Sequence, residues 1–236
     1  MPKAYLEPNE VEQIEEAATY LRDKLLIRLL FRLGCRISEA LGISVGDIDF
    51  NQATISIEHL KRRTKLSCPQ CGTKLSRTSK FCPGCGSTVE KAVAEEREHR
   101  RKRTLPIDEA TLKLLREYID RGGPVEIGGR RLLFGLGRGQ AWRILRECAS
   151  RAKLGQLVNP ETGSIHNVSP HRLRDAFAVH AIKIDGSSDG LRLLQEHLGH
   201  QNITTTMRYR KVAGEEHRKW YQKLWGQEKY SNDAAS

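Results

Sequence analysis

Two sets of residues in this chain have the types and spacing to do chemistry. The first is four cysteines in two near-repeated knuckles, Cys68-Pro69-Gln70-Cys71-Gly72 and Cys82-Pro83-Gly84-Cys85-Gly86. Two residues between cysteines let both thiolates reach one side of a metal ion. The glycine after each second cysteine lets the backbone turn its amides toward sulfur. Four sulfurs complete a tetrahedral set with no open position, so Cys68, Cys71, Cys82 and Cys85 are expected to hold one structural Zn²⁺. Four sulfurs alone do not exclude iron. The competing reading, two disulfides, is disfavoured because the sequence shows no apolar leader and is expected to be cytoplasmic.

The second set comes from three separated segments: Gly34-Cys35-Arg36-Ile37-Ser38-Glu39, Pro170-His171-Arg172-Leu173-Arg174-Asp175, and Leu198-Gly199-His200 running on to Arg208-Tyr209. Two arginines and two histidines around a tyrosine suit attack on a phosphodiester. Guanidinium forks bind the non-bridging oxygens bidentately and keep their charge. They also stabilise the added charge of a five-coordinate phosphorus. A tyrosine hydroxyl, with a reference pKa of about 10, needs a base or a positive field before it attacks. Each motif alone has a plain structural reading. His-x-x-Arg is a common helix-face pair, Arg36 could be a surface ion-pair partner, His200 a helix cap, and Tyr209 a core residue. Their joint presence is what carries the chemistry.

In these residues the chain resembles the tyrosine recombinase family of the phage-integrase and Xer type. The resemblance rests on Arg36-x-Ser38-Glu39, His171-x-x-Arg174, and Leu198-Gly199-His200 followed nine residues later by Tyr209, in the family's order. It implies a site-specific recombinase or integrase that cuts and rejoins DNA through a 3′-phosphotyrosyl link, without ATP or a catalytic metal. It implies Arg36 and Arg174 as the phosphate-binding pair, His171 as proton acceptor, His200 as a donor to the phosphate, and Tyr209 as the nucleophile. Glu39 is expected to orient Arg36 or a neighbour, and His180 to be buried structure. The family's general acid, a hairpin lysine, maps first to Lys61, with Lys65 in reserve. The family also implies double-stranded DNA as partner and a homo-oligomer on DNA, a tetramer of two dimers. Two rivals stay open: a type IB topoisomerase-like strand-relaxing enzyme, and a non-cleaving zinc-ribbon module with a vestigial site.

These residues must be positioned by a mostly helical framework. Apolar spacing predicts a helix from Asn9, a second through Leu25, Leu29 and Leu33, and a short third after Arg36. Alternation through Ile55 and Ile57 predicts a strand over 53–60, and another covers 104–107. A helix capped by Asp108 follows, then a short strand at Leu132-Leu133-Phe134. Further helices are expected at 139–152, 170–184, 190–198, 204–212 and 214–225. Cys35 and Cys148 read as small core residues. The fold class is therefore mainly α with a small β-sheet, with a four-Cys ribbon inserted in the catalytic hairpin. The expected boundaries are 1–63 and 99–213 for the catalytic domain, 64–98 for the ribbon, and 214–236 for a C-terminal helix and tail.

The 236 residues carry a formal charge of +11, and no apolar run is long enough to cross a membrane. Lys61 to Arg103 holds thirteen basic and four acidic residues, so +9 of the +11 lies in this arm. An arm so basic is expected to meet a polyanion. Family members place a helical clamp domain of about 100 residues before the first arginine, whereas Arg36 stands near the start here. Three substitutes are open: an accessory DNA-binding protein, the cysteine module, or weak and poorly specific binding. The aromatic face of 214–225 could dock on a neighbouring protomer or on its own domain.

Overall fold

The computed structural model describes residues 3–76, 78–159 and 162–211; the expected helix over 214–225 lies outside them. The first helix, α1 (Pro8–Glu16), begins one residue before Asn9, the expected cap. Pro8 takes the first helical position, where an absent N–H costs nothing, and Glu7 becomes the cap residue with its amide donating to Glu10. The second helix, α2 (Leu21–Arg32), is buried along Leu25, Leu26, Leu29 and Leu30. It ends before Gly34, whose φ of +54° needs no Cβ; one there would sit 2.5 Å from the Phe177 ring. Arg36 is the cap residue of α3 (Ile37–Leu41).

A short turn leads to β1 (Ile48–Asp49), and then the sheet departs from expectation. β2 (Thr54–Ser67) and β4 (Val93–Pro106) form an antiparallel ribbon paired from Thr54↔Pro106 to Ser67↔Val93, and the short β3 (Lys74–Leu75), which falls between them in the chain, pairs with the far end of β2. At roughly 3.4 Å per residue its arms span about 45 Å. Among the ribbon residues whose burial is described, the base, at Ile55, Ile57 and Leu105, shows the buried apolar positions that announce a strand. The distal arms are charged, so alternation could not reveal them; their cross-strand register, such as Arg62 opposite Glu98 and Lys65 opposite Glu95, is compatible with pairing.

Asp108 caps α4 (Glu109–Asp120) by accepting from the Thr111 amide at 3.0 Å. The strand expected at 132–134 is displaced. β5 (Val125–Ile127) and β6 (Arg130–Leu132) pair across Gly128-Gly129, while Leu133 and Phe134 are core residues at 0% and 1% exposure. Then come α5 (Arg138–Arg151), the two-residue strands β7 (Leu157–Val158) and β8 (Ile165–His166), α6 (Pro170–Ile184), α7 (Ser188–Leu198) and α8 (Ile203–Lys211). One apolar cluster joins α1 to α6 with the sheet base, and Cys35 and Cys148 lie fully buried in it. A second, through Val179, Ile182, Leu191, Leu194 and Tyr209, binds α8 onto α6 and α7; Phe177 packs against both. That second cluster delivers Tyr209 to the rest of the site.

Candidate active site

Arg36, His171, Arg174, His200 and Tyr209 line one open cleft of about 590 Å³, although they come from α3, α6, α8 and the loop after α7. Arg36 reaches it from the start of α3. Its Nη1 donates to Glu39 Oε1 at 2.9 Å, and its backbone N–H donates to Oε2 at 2.8 Å. Glu39, 2% exposed, also receives both terminal nitrogens of Arg103 from β4, at 3.2 and 2.7 Å. Burial would push this carboxyl up. The hydrogen bonds and charge of Arg103, with Arg36 behind, outweigh burial and hold its pKa down to about 2.

The sign of the resulting pH dependence follows. A carboxyl that titrates at 4.5 when unfolded and about 2 when folded stabilises the native state fully above pH 4.5. That contribution fades as pH falls through about 2. Glu39→Gln cannot titrate. In urea titrations, the stability advantage of the natural chain over the variant should shrink by about 3 kcal/mol between pH 6 and pH 2. A pH-independent gap would contradict the linkage.

Arg174 is 2% exposed and donates to the Gly34 carbonyl and the Leu198 carbonyl, both at 2.7 Å. It thus ties the ends of α2 and α7 together while facing the cleft. Burial, then the neighbouring charge of Arg36, lowers its pKa to about 10, which still leaves it charged at neutral pH. His200 follows Gly199, whose φ of +66° closes α7; a Cβ there would stand 3.2 Å from Arg103 Nη1. The His200 Nδ1 lies 2.9 Å from Thr206 Oγ1. Burial, followed by the charges of Arg174 and Arg36, pushes its pKa down to about 4, so the imidazole is neutral at pH 7.

Tyr209, 9% exposed, donates its hydroxyl to Asp175 Oδ1 at 2.9 Å. Burial raises its pKa, and the Asp175 carboxylate raises it further. His171 is exposed at the rim, its Nε2 3.8 Å from the same Oδ1. His180 is half-buried in a separate cavity beside His197 and Phe177, outside the cleft. Lys61 and Lys65 stand on β2 at the register positions opposite His99 and Glu95. The sequence motifs do not single out Arg138, Arg208 and Asp175, which also line the cleft. Asp175 had a signal: it lies four residues after His171, one helical turn on. Arg138 had none, because only folding brings α5 here.

At the far end of the ribbon, the sulfurs of Cys68, Cys71, Cys82 and Cys85 all lie within 4.8 Å of one another. The pairs Cys71–Cys82 and Cys68–Cys85 are 3.4 and 3.7 Å apart. A tetrahedral zinc with bonds of about 2.3 Å would set them about 3.8 Å apart, so the set fits one metal ion. The knuckles match in backbone too: Gly72 N–H donates to Cys68 O and Gly86 N–H to Cys82 O, both at 2.9 Å, with φ of +70° and +73°. Amide hydrogen bonds from Cys71 and Gln70 hold the Cys68 thiol down to about 6, favouring the ligating thiolate.

Residues 4–79 and 88–216 match the phage integrase family, and the chain belongs to that family. It is 28% identical over 201 residues to the tyrosine recombinase XerD of Neisseria meningitidis serogroup B, covering 82% of this chain and 51% of that one. The chain thus spans about half the length of that relative. In structure it resembles the XerA recombinase, with a TM-score of 0.59 and 19% identity over 95% of this chain and 66% of that one. It also resembles the XerH site-specific recombinase in a post-cleavage complex with its difH substrate, with a TM-score of 0.57 and 18% identity over 97% and 54% of the two chains. The fold is the tyrosine recombinase catalytic-domain fold.

Proposed function

We propose that this chain is the catalytic part of a site-specific recombinase or integrase, which cuts one strand of double-stranded DNA at a time through Tyr209 and then rejoins it. The observation that carries this reading is the meeting of Arg36, His171, Arg174, His200 and Tyr209 in one cleft, in a chain of this family. Arg36 and Arg174 hold the non-bridging oxygens of the scissile phosphate. The neutral His200, in the tautomer whose Nδ1 accepts from Thr206 Oγ1, carries its proton on Nε2 and donates it to the same phosphate. Tyr209 attacks phosphorus, His171 serves the transfer of its proton, and Lys61 protonates the departing 5′-oxygen. The phosphotyrosyl link conserves the energy of the broken bond, so the reverse attack by a 5′-hydroxyl reseals the strand.

The four cysteines hold one Zn²⁺, and the ribbon of 64–98 extends the grip on DNA from the catalytic hairpin. On DNA the chain works as a tetramer of two dimers, alongside an accessory DNA-binding protein at the same sites, in the cytoplasm on the nucleoid. The test is capture of a covalent adduct from a pool of nicked duplexes of randomised sequence, in which the cut fragment diffuses away. The expected adduct maps to the peptide holding Tyr209, and Tyr209→Phe forms none. A pool that yields no adduct with the natural chain counts against the enzyme and for a non-cleaving module.

A further inference from the structure

Among the described residues that line the cleft, Asp175 is the single carboxylate, in a surface otherwise rich in arginine. It is 4% exposed, and its polar partners among the described residues, Tyr209, Arg172 and His171, line the same cleft. Oδ1 accepts the Tyr209 hydroxyl at 2.9 Å, and Oδ2 accepts Arg172 Nη1 at 3.0 Å. His171 Nε2 is 3.8 Å from Oδ1 and its side chain is 71% exposed. The carboxylate therefore stands between the phenol and the imidazole. A hydroxyl that attacks phosphorus must shed its proton, and the atom already hydrogen-bonded to it is the one placed to take it.

We infer that Asp175 is the immediate proton acceptor for Tyr209, with His171 as the outlet to solvent; this rests on the reading of Tyr209 as nucleophile. As the Tyr209 Oη–phosphorus bond forms, the O–H bond breaks and the proton passes to Oδ1. The phosphorus–O5′ bond breaks, and that oxygen takes a proton from the general acid. On rejoining, the phosphorus–Oη bond breaks and the departing phenolate takes a proton back through Asp175, which His171 resupplies from solvent, while the attacking 5′-hydroxyl gives its proton to the general acid's conjugate base. The same carboxylate keeps the resting hydroxyl protonated, so the nucleophile stays capped until a phosphate sits between Arg36 and Arg174.

The experiment uses the full chain and a duplex recovered from the adduct pool, made with either the natural 5′-oxygen or a bridging 5′-sulfur at the scissile phosphate. A thiolate leaves without protonation, so sulfur rescues a missing acid but not a missing base. Asp175→Asn keeps the shape and a hydrogen-bond acceptor. It should bind duplex as the natural chain does, yet form adduct roughly 10² to 10³-fold more slowly on both substrates. An unchanged or faster rate overturns the assignment, and so does a loss that the sulfur substrate restores. Should Asp175→Asn not fold, Asp175→Glu decides: adduct on both substrates within tenfold of the natural rate supports it, and none overturns it. The natural chain separates the two levels of inference, because its failure to form adduct sinks the enzyme reading, whereas Asp175→Asn tests the base alone.

Discussion

Arg174→Ala should lose strand cleavage by roughly 10³-fold and unfold at lower denaturant than the natural chain. Both losses have one cause. The guanidinium is 2% exposed, and two of its nitrogens hold the carbonyls of Gly34 and Leu198 at 2.7 Å. Hydrogen bonds to a charged donor contribute roughly 1.5 to 3 kcal/mol each. Removing both, and leaving two buried carbonyls unmet, should cost about 3 kcal/mol or more. The carbonyls lie where α2 and α7 end, and those ends carry Arg36 and His200 into the cleft. On the proposed mechanism, the variant thus loses one contact to the phosphate and loosens two others.

Arg174→Lys sharpens the prediction. A lysine keeps the charge but offers one nitrogen, which cannot serve both carbonyls and a phosphate in the fork geometry of arginine. It should recover part of the stability and little of the activity. Single-turnover adduct formation and urea unfolding of the three proteins measure the two axes separately. Equal recovery on both would mean that charge alone matters at this position.

The legibility of this molecule in its sequence tracks where burial is. α6 begins and ends where its apolar spacing and its Pro170 predict, because its face is core from Leu173 to Ile182. The ribbon arms run well past their apolar alternation because their residues are charged and their strand state depends on a partner strand dozens of residues away. The same holds at the site. Arg36, His171, Arg174, His200 and Tyr209 can be named from sequence because the family motifs are local runs, whereas their shared cleft is a product of the fold. In sequence, Arg103 is one of many basic residues in a returning strand. Only the three-dimensional arrangement shows it as the second clamp on Glu39, opposite Arg36, at 2.7 Å. Asp175 is visible as a letter beside Arg174, yet its bond to a tyrosine 34 residues away is not.

Arg103 also joins the two halves of the molecule. It lies opposite Ile57 at the buried base of the ribbon, and its grip on Glu39 is shared with Arg36. The base of the arm is therefore tied through Glu39 to the start of α3, where Arg36 stands, while the far end of the arm depends on something else for its order.

If the four cysteines hold the proposed metal ion, removing it should show what that is. The far end has its own small cluster, Cys68, Leu75 and Cys82 with Leu66, Val89 and Ala92 against it, separate from the two main clusters. Three buried side chains cannot hold such a segment folded, so the free energy of binding the proposed metal, roughly 10 to 16 kcal/mol for structural zinc sites, would become the local folding energy. Cys82→Ser or a strong chelator should remove one metal ion per chain. The amides of Gly72 and Gly86, now donating to Cys68 and Cys82 at 2.9 Å, should then exchange freely with solvent. Amides of α2 should stay protected, since their packing never touches the knuckles. If the arm grips DNA, the slope of log affinity against log salt should flatten by about 0.9 for each phosphate the arm no longer neutralises. Retained exchange protection at Gly72 and Gly86 after metal loss would mean the knuckles fold without it. An unchanged salt slope would instead confine the grip on DNA to the cleft.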